Sequence, residues 1–488
     1  MTHAVPDPKP ILNFVGGKWV SAGGSESLTV SNPATGESLG SFAPSTEENV
    51  TDAVSVAKEA FQTWRSTPPI ERVRILFRLK ILLEENLEGI AASLAREHGK
   101  NLPECRGEVR RGIENVEHAC GTPSLMMGST LEDVAPGIDC ETVLQPLGVF
   151  AGIAPYNFPV MIPLWFWPYA VATGNTFVLK PSEQDPLTHQ LVVELAVEAG
   201  LPDGVLNVVQ GQRNAVTALL NNPDVIGFSF VGSSAVGRKL YSEGAVSGKR
   251  MQVLGGAKNN IIVVPDADYD LTTEAILSSA FGSAGQRCLA GSTAVCIGDA
   301  YEIMRERLVD GAKSLKLGYA LDGDPDIGPV ISRAHRTRVE TYIEKGIKEG
   351  AELLLDGRGA TVDGYPDGHW IGPTIFDKVE PDMVVGKEEI FGPVLSLKQV
   401  GSLEEAIELT HKSRYGNMAS IFTTSGAAAR EFRYGVGISM LGVNIGVAAP
   451  MAFFPFGGAR RSFFGDLKAQ GQDTISFYTD KRVVISRW

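Results

Sequence analysis

From Leu147 onward the chain alternates short apolar runs with amphipathic segments, and this alternation constrains the fold more than any other feature. The runs Val149–Ala154, Asn175–Lys180, Val205–Val209, Val225–Val231, Met251–Leu254 and Ile261–Val264 are rich in aliphatic and aromatic residues. Helical periodicity marks Leu187–Ala199, Ala215–Leu220 and Ala235–Glu243 between several of them. Parallel strands need a crossover connection, usually a helix, so the pattern predicts βαβ units and a parallel sheet covered on both faces. A further α/β stretch runs from Leu271 to about Pro455, with helices expected at Tyr301–Leu317 and Arg333–Glu349.

The flanking segments read differently. Ile11 to Ser31 has the Gly, Ser and Asn punctuation of short hairpins. Ser45-Thr46-Glu47-Glu48 reads as a capping box ahead of the apolar period Val50, Ala53, Val54, Ala57, Ala60, Phe61 and Trp64. Helices are expected over Glu71 to His98 and Glu104 to His118, followed by a β-rich excursion from Leu125 to Gln145. The tail carries two β-rich runs, Ile475–Tyr478 and Arg482–Ile485, and is expected to form an arm that pairs with another subunit.

A length of 488 residues suggests about three structural units. With 44 basic and 57 acidic side chains the net charge is −13. Nucleic acid and anionic membrane both require concentrated basic surface, so neither is an expected partner. The longest apolar run, Val160 to Ala172, is interrupted by Pro163 and Pro168 and is shorter than the ~20 residues that span a bilayer. It reads as core or as the wall of a site. The start, Met1 to Asp7, shows no basic stretch followed by an apolar one, and no arginine precedes Arg65. Cys105, Cys120, Cys140, Cys288 and Cys296 form no CxxC pair, and the histidines form no HxxH or HExxH pair. Neither a disulfide framework nor a metal site is expected, and the compartment is expected to be a reducing cytoplasm.

Several common signatures are absent: no G-x-G-x-x-G follows a strand, no complete P-loop occurs, and there is no G-x-S-x-G elbow. Four segments carry candidate chemistry instead. Phe228 to Ser234 is a strand ending in a Gly-Ser-Ser turn that opens a helix, where free N–H groups suit a phosphate; it is equally an ordinary βα turn. Asn175 to Glu183 places Lys180 and Glu183 at a strand end, where a carboxylate can grip ribose hydroxyls, although charges are common there. Gly285-Gln286-Arg287-Cys288 sets a thiol beside a cation, which favours a lowered pKa, yet an isolated Cys is more often buried and inert. Pro155-Tyr156-Asn157-Phe158-Pro159 fixes an amide directly after a core strand, as an oxyanion hole requires or as a plain Asn turn would.

Taken in order, Pro-Tyr-Asn157-Phe-Pro, Lys180-Pro-Ser-Glu183, Phe230-Val-Gly232-Ser233, Leu254-Gly255-Gly256, Gly285-Gln-Arg-Cys288 and Glu388-Glu389-Ile-Phe391-Gly392-Pro393 resemble the aldehyde dehydrogenases. The likeness runs as far as Pro455-Phe456-Gly457-Gly458. It implies an α/β fold with three parts: a doubly wound NAD-binding domain (residues 1–126 and 146–255), an α/β catalytic domain (256–455), and a β oligomerisation arm (127–145 and 470–488). It implies Cys288 as the nucleophile and Asn157 as an oxyanion donor. Lys180, Glu183, Gly211, Gly232, Ser233, Glu389 and Phe391 are implied to hold NAD, with Glu183 favouring NAD over NADP. A homodimer or homotetramer is the implied assembly.

Within the family, Val116-Glu-His-Ala, Phe158-Pro-Val-Met-Ile-Pro-Leu-Trp, Leu254 to Asn259, Ala284 to Ala290, Ser462 to Asp466 and Ser486-Arg-Trp488 are most similar to the CoA-acylating branch, which acts on malonate and methylmalonate semialdehydes. Hydrolytic members carry a Glu immediately before Leu-Gly-Gly; here that position is Val253, which cannot accept a proton. CoA is therefore the expected acyl acceptor, with hydrolysis to free acid as the alternative should another carboxylate serve. In the resembling branch two arginines hold the substrate carboxylate, and they match Arg111 and Arg287. Arg110 lies about 100° from Arg111 around a helix, so both cannot face one site. One departure stands out. A proline-rich segment of the family is replaced by Gly442 to Pro450, where Gly446, Ala448 and Ala449 imply a differently shaped tunnel.

Overall fold

In a computed structural model, which describes residues 10–488, the first five apolar runs after Leu147 form the expected parallel sheet, whereas the sixth, Ile261–Val264, belongs to a second sheet. Val149–Ile153 pairs in parallel with Thr176–Lys180, which pairs with Leu206–Val208. On its other side Val149–Ile153 pairs with Val225–Val231, which pairs with Arg250–Leu254. The chain therefore winds outward in both directions from Val149–Ile153, leaving a switch point at the carboxyl ends of the strands. The hairpin Asn13–Val15/Lys18–Val20 closes one edge and Phe463–Phe464 the other, both antiparallel.

Both faces are covered, as all-parallel pairing requires. On one face Leu76, Leu79, Val109 and Ile113, from helices Pro69–Glu85 and Leu102–Cys120, pack with Phe150, Phe177 and Leu179. On the other, Val50, Val54 and Ala57 from helix Glu47–Trp64 pack with Val149, Ala151 and Val178. A second sheet has the order Glu352–Leu355, Thr374–Asp377, Val394–Val400, Gly291–Ile297, Asn259–Val263, Met418–Phe422 and Met440–Val443, parallel except at its first pair. A third sheet is an antiparallel ribbon of Thr130–Ala135, Ile138–Pro146 and Thr479–Arg487.

Three local expectations differ from the structure. The first helix is capped one residue later, by Thr46 with Asn49, because the Ser45 hydroxyl is taken by the buried side chain of Asn13. The Glu71–His98 helix is two helices that break at Asn86, whose φ of −101° and ψ of 9° leave the helical region. The run Ile475–Tyr478 is not a strand. It closes the helix Gly471–Phe477, and Ile475, Phe477 and Tyr478 are buried beneath the first sheet, with the Tyr478 ring edge-on to Phe150. Val160 to Ala172 forms two short, fully buried helical turns, Met161–Leu164 and Trp167–Ala172. Among the described residues no helix is long and apolar enough to cross a membrane. The reading of Met1 to Asp7 lies outside the described residues.

Candidate active site

The carboxyl edge of the first sheet presents Asn157 just beyond Val149–Ile153, Lys180 at the end of its strand, Gly232 and Ser233 beyond Val225–Val231, and Gly255 and Gly256 beyond Arg250–Leu254. The second sheet brings Cys288 to the same place from the segment before Gly291–Ile297, and Glu389 and Phe391 from the segment before Val394–Val400. Asn157, Lys180, Glu183, Gly232, Ser233, Cys288, Glu389 and Phe391 all line one cleft of about 650 Å³. Ligands of open α/β sheets bind at such a switch point.

The segment leading to the thiol is tightly held. Ser283, Ala284 and Gly285 follow one another with φ of 52°, 51° and 70°, and only the glycine adopts this region without a Cβ penalty. A Cβ at Gly285 would stand 2.1 Å from the Gly392 carbonyl oxygen. Asn259 and Asn417 each donate a side-chain N–H to the Cys288 carbonyl, at 2.9 and 3.1 Å. The Asn157 amide donates one N–H to the Gln286 carbonyl at 2.9 Å, and its second N–H remains for a ligand.

The thiol itself departs from expectation. Burial pushes the Cys288 pKa up to about 12, and the negative charge of Glu389 adds to that. The backbone N–H groups of Cys288 and Leu289 act in the opposite direction, followed by Arg287. Arg287 has little leverage because its guanidinium is paired with Glu104 at 2.6 Å. Adjacency in sequence does not make the arginine an effective activator here.

On the far side of the cleft, Lys180 donates to Glu183 at 3.0 Å and to the Gly211 carbonyl at 2.9 Å, which ties Gly211 to the site although it does not line the cleft. A Cβ at Gly232 would lie 2.5 Å from the Phe230 ring, so only glycine leaves the strand end open. Ser233 caps the helix Ser234–Val246, whose first N–H groups face the cleft end of the sheet. Glu389 accepts the Ala257 N–H at 2.8 Å, and its pKa is pushed up to about 7 by burial despite that bond. Carboxylates at Glu183 and Glu389, an ammonium, and a helix start at a glycine turn suit a dinucleotide's hydroxyls and phosphates.

Sequence reasoning missed two residues that hold this wall. Arg338 donates to the Glu389 and Ile390 carbonyls, each at 3.1 Å. His335, held neutral by burial with a pKa near 4, lies 2.7 Å through Nε2 from the Phe391 carbonyl. Together they fix a turn in which Phe391 has a φ of 63°. Their three-residue spacing on helix Arg333–Lys348 was the available signal, since positions i and i+3 share a face.

A model of the aldehyde dehydrogenase family matches residues 19–484. The chain belongs to the aldehyde dehydrogenase family. Among its relatives, malonate-semialdehyde dehydrogenase 1 of Geobacillus thermodenitrificans is 50% identical over 98% of this chain and 99% of its own. Malonate-semialdehyde dehydrogenase of Pseudomonas aeruginosa is 46% identical over 98% and 96%. The structure superposes on methylmalonate-semialdehyde dehydrogenase from Oceanimonas doudoroffii with a TM-score of 0.96, at 45% identity and 98% coverage of both chains. A Sinorhizobium meliloti protein put forward as a methylmalonate-semialdehyde dehydrogenase, solved with NAD, gives a TM-score of 0.97 at 42% identity, again covering 98% of each chain.

Neither Arg111 nor Arg287 lines the main cleft. Arg111 pairs with Glu114 at 3.1 Å and donates to the carbonyls of Ala449 and Pro450, so it grips the altered loop. Arg287, paired with Glu104, borders a small cavity of about 20 Å³ together with Cys288 and Glu389. Arg110 turns away to Glu84, as the helix geometry requires.

Val253 is fully buried, packed with Phe228 and Phe230 and so close to Gly237 that a Cβ there would lie 2.7 Å from it. The next residue, Leu254, belongs to the apolar cluster against which Cys288 packs. Successive strand residues face opposite sides, so Val253 and Leu254 pack into different clusters, and neither carries a proton acceptor. Among the described residues, the carboxylates lining the cleft are Glu183 and Glu389.

Proposed function

We propose that the protein oxidises a short carboxylated aldehyde of the malonate or methylmalonate semialdehyde type with NAD, through a thioester on Cys288, and passes the acyl group to CoA. The carrying observation is the single cleft in which the Cys288 thiol and the Asn157 amide meet the strand-end glycines and carboxylates. The substrate class follows the names of relatives that align along almost the whole chain.

The Cys288 sulfur, once deprotonated, attacks the aldehyde carbon, and the carbonyl electron pair moves to oxygen. The free Asn157 N–H, with the backbone N–H groups of Cys288 and Leu289, is placed to hold that oxyanion. Lys180, Glu183, Gly211, Gly232, Ser233, Glu389 and Phe391 form the cradle for NAD, which when bound accepts the hydride. The collapsing oxyanion then leaves an acyl thioester on Cys288. A CoA thiolate attacks this thioester, and the Cys288 thiolate departs. A β-carboxylated acyl group can first lose CO2, its electron pair passing into the thioester carbonyl.

Arg111 and Arg287 remain the proposed carboxylate holders, which requires the substrate to compete with Glu114 and Glu104 for them. The division into a cofactor domain, a catalytic domain and an arm belongs to the same reading. The arm exposes Leu131, Val134, Val483, Ile485 and Trp488, which supports pairing with further copies in a dimer or tetramer in the cytoplasm.

Hydrolysis has one observation in its favour. Glu389 borders both the main cleft and the small cavity behind Cys288, with a pKa near neutrality. Product analysis separates the two readings. With malonate semialdehyde and NAD but no CoA, wild type should form about one equivalent of NADH per site and stall, and CoA should restore turnover with release of an acyl-CoA. Sustained free-acid production without CoA would replace acylation with hydrolysis. Cys288→Ala should abolish NADH formation while NAD binding survives, whereas Cys296→Ala, buried in the second sheet's core, should keep activity.

A further inference from the structure

Lys100 and Glu108 form an ion pair whose two side chains are both completely buried. Lys100 lies in the connection before helix Leu102–Cys120, and Glu108 lies on that helix, beneath the segment that carries Asn157. A buried pair of this kind is seldom justified by stability, since an apolar pair of equal volume serves as well or better. What distinguishes this pair is where its remaining hydrogen bonds go. The Lys100 ammonium donates to the Asn157 carbonyl and sits 4.1 Å over the Phe158 ring. The second oxygen of Glu108 accepts the N–H groups of Val160 and Met161, at 2.9 and 3.2 Å.

The backbone is therefore gripped at both ends of Asn157-Phe158-Pro159-Val160, by the cation on one side and the anion on the other. The Asn157 side chain is then tied to the Gln286 carbonyl, two residues before the thiol. An oxyanion donor must be held to within about 0.5 Å of its working position. An apolar pair would fill the same space but leave three buried backbone groups without partners, free to settle elsewhere.

We propose that the buried Lys100–Glu108 pair is a positioning device that sets the Asn157 amide for oxyanion stabilisation, so that both residues act on the chemical step through Asn157 alone. This rests on the reading of Asn157 given above. Loss of that reading would appear as an unchanged first turnover in Asn157→Ala, whichever way the pair behaves.

The test is a double-mutant cycle on the rate of first-turnover NADH formation, with saturating NAD and with malonate semialdehyde or propanal, whichever wild type turns over faster. The variant Lys100→Met/Glu108→Leu strands no charge. It should bind NAD as wild type does and slow the first turnover roughly 10-fold to 10²-fold, the scale of a displaced catalytic group. Placed on Asn157→Ala, itself slowed ~10²–10³-fold, the same pair should cost less than about 2-fold more. Equal losses in the two backgrounds would mean a merely structural role and would overturn the proposal, as would an unslowed first turnover in a folded variant. If the apolar pair does not fold, Glu108→Asp replaces it: the charge is kept but one methylene of reach is lost. Its smaller slowing must also vanish on Asn157→Ala.

Discussion

Installing a carboxylate at Val253 tests whether a missing general base is what makes the acyl thioester wait for CoA. Val253 is fully buried between the first sheet and helix Ser234–Val246, with no gap toward Gly237. Val253→Glu loses about 1.5–3 kcal/mol of aliphatic burial and must also bury a carboxylate, charged at a cost of several kcal/mol or protonated. Such a variant should lose at least ~3 kcal/mol of stability relative to wild type. Where it folds, the new carboxylate stands at the position from which the hydrolytic members of the resembling family activate water. A general base is worth about 10²–10⁴-fold, so CoA-independent release of free acid should rise by that order. The gain should appear only as pH rises toward and past neutrality, since the nearby Glu389 already shows what burial does to a carboxyl group here, with a pKa of about 7. Stopped-flow NADH traces without CoA, free-acid quantification and thermal inactivation of Val253→Glu and wild type supply the comparison. A folded Val253→Glu whose free-acid release without CoA stays at the wild-type level at every pH would refute the reasoning.

Glu389, raised from 4.5 to about 7, keeps its proton in the folded chain where the unfolded chain has lost it; its favourable contribution is full below about 4.5 and is lost as pH rises through about 7. Relative to Glu389→Gln, wild type should therefore lose about 3 kcal/mol between pH 4.5 and 8 in cofactor-free denaturant titrations, and a difference that does not change with pH would contradict this. Replacing Arg111 or Arg287 by Leu should cost about 2–5 kcal/mol in kcat/KM for malonate semialdehyde and far less for propanal, and equal losses on both substrates would make the arginines structural. Arg287→Leu should also lower thermal stability, because it strands Glu104. Removing Thr479–Trp488 leaves Ile138–Pro146 with only one of its two partner strands and should lower the oligomeric mass in light scattering, an effect absent if the arm is not an interface.

What could be read from the sequence divides along a physical line. The parallel strands were legible because burial on both faces forces continuous apolar runs between turn residues, and Val225–Val231 runs over the expected residues. The same rule misplaced Ile475–Tyr478, because a short apolar run can close a helix as well as form a strand, and only its docking against Phe150 and Ser229 decides the matter. The cap of the first helix shifted from Ser45 to Thr46 because a side chain 32 positions earlier in the sequence, Asn13, claims the serine. The candidate site shows the same divide. Glycines at Gly232 and Gly285 mark places where no Cβ fits, and they carry that meaning in one dimension as well as in three. The Glu104 partner of Arg287, the Glu389 and Ile390 carbonyls held by Arg338, the Ala449 and Pro450 carbonyls held by Arg111 and the Asn157 carbonyl held by Lys100 do not, because each comes from a segment distant in sequence. The facing of Val253 falls between the two: strand alternation was available to settle it, but only once the parity of Arg250–Leu254 was anchored by its neighbours, Phe230 on one face and Val231 on the other. A charge is written in the sequence, but its partner is decided by the fold, so a chemistry that depends on Arg287 being free, or on Asn157 being held, becomes visible only when Glu104 and Glu108 are in place.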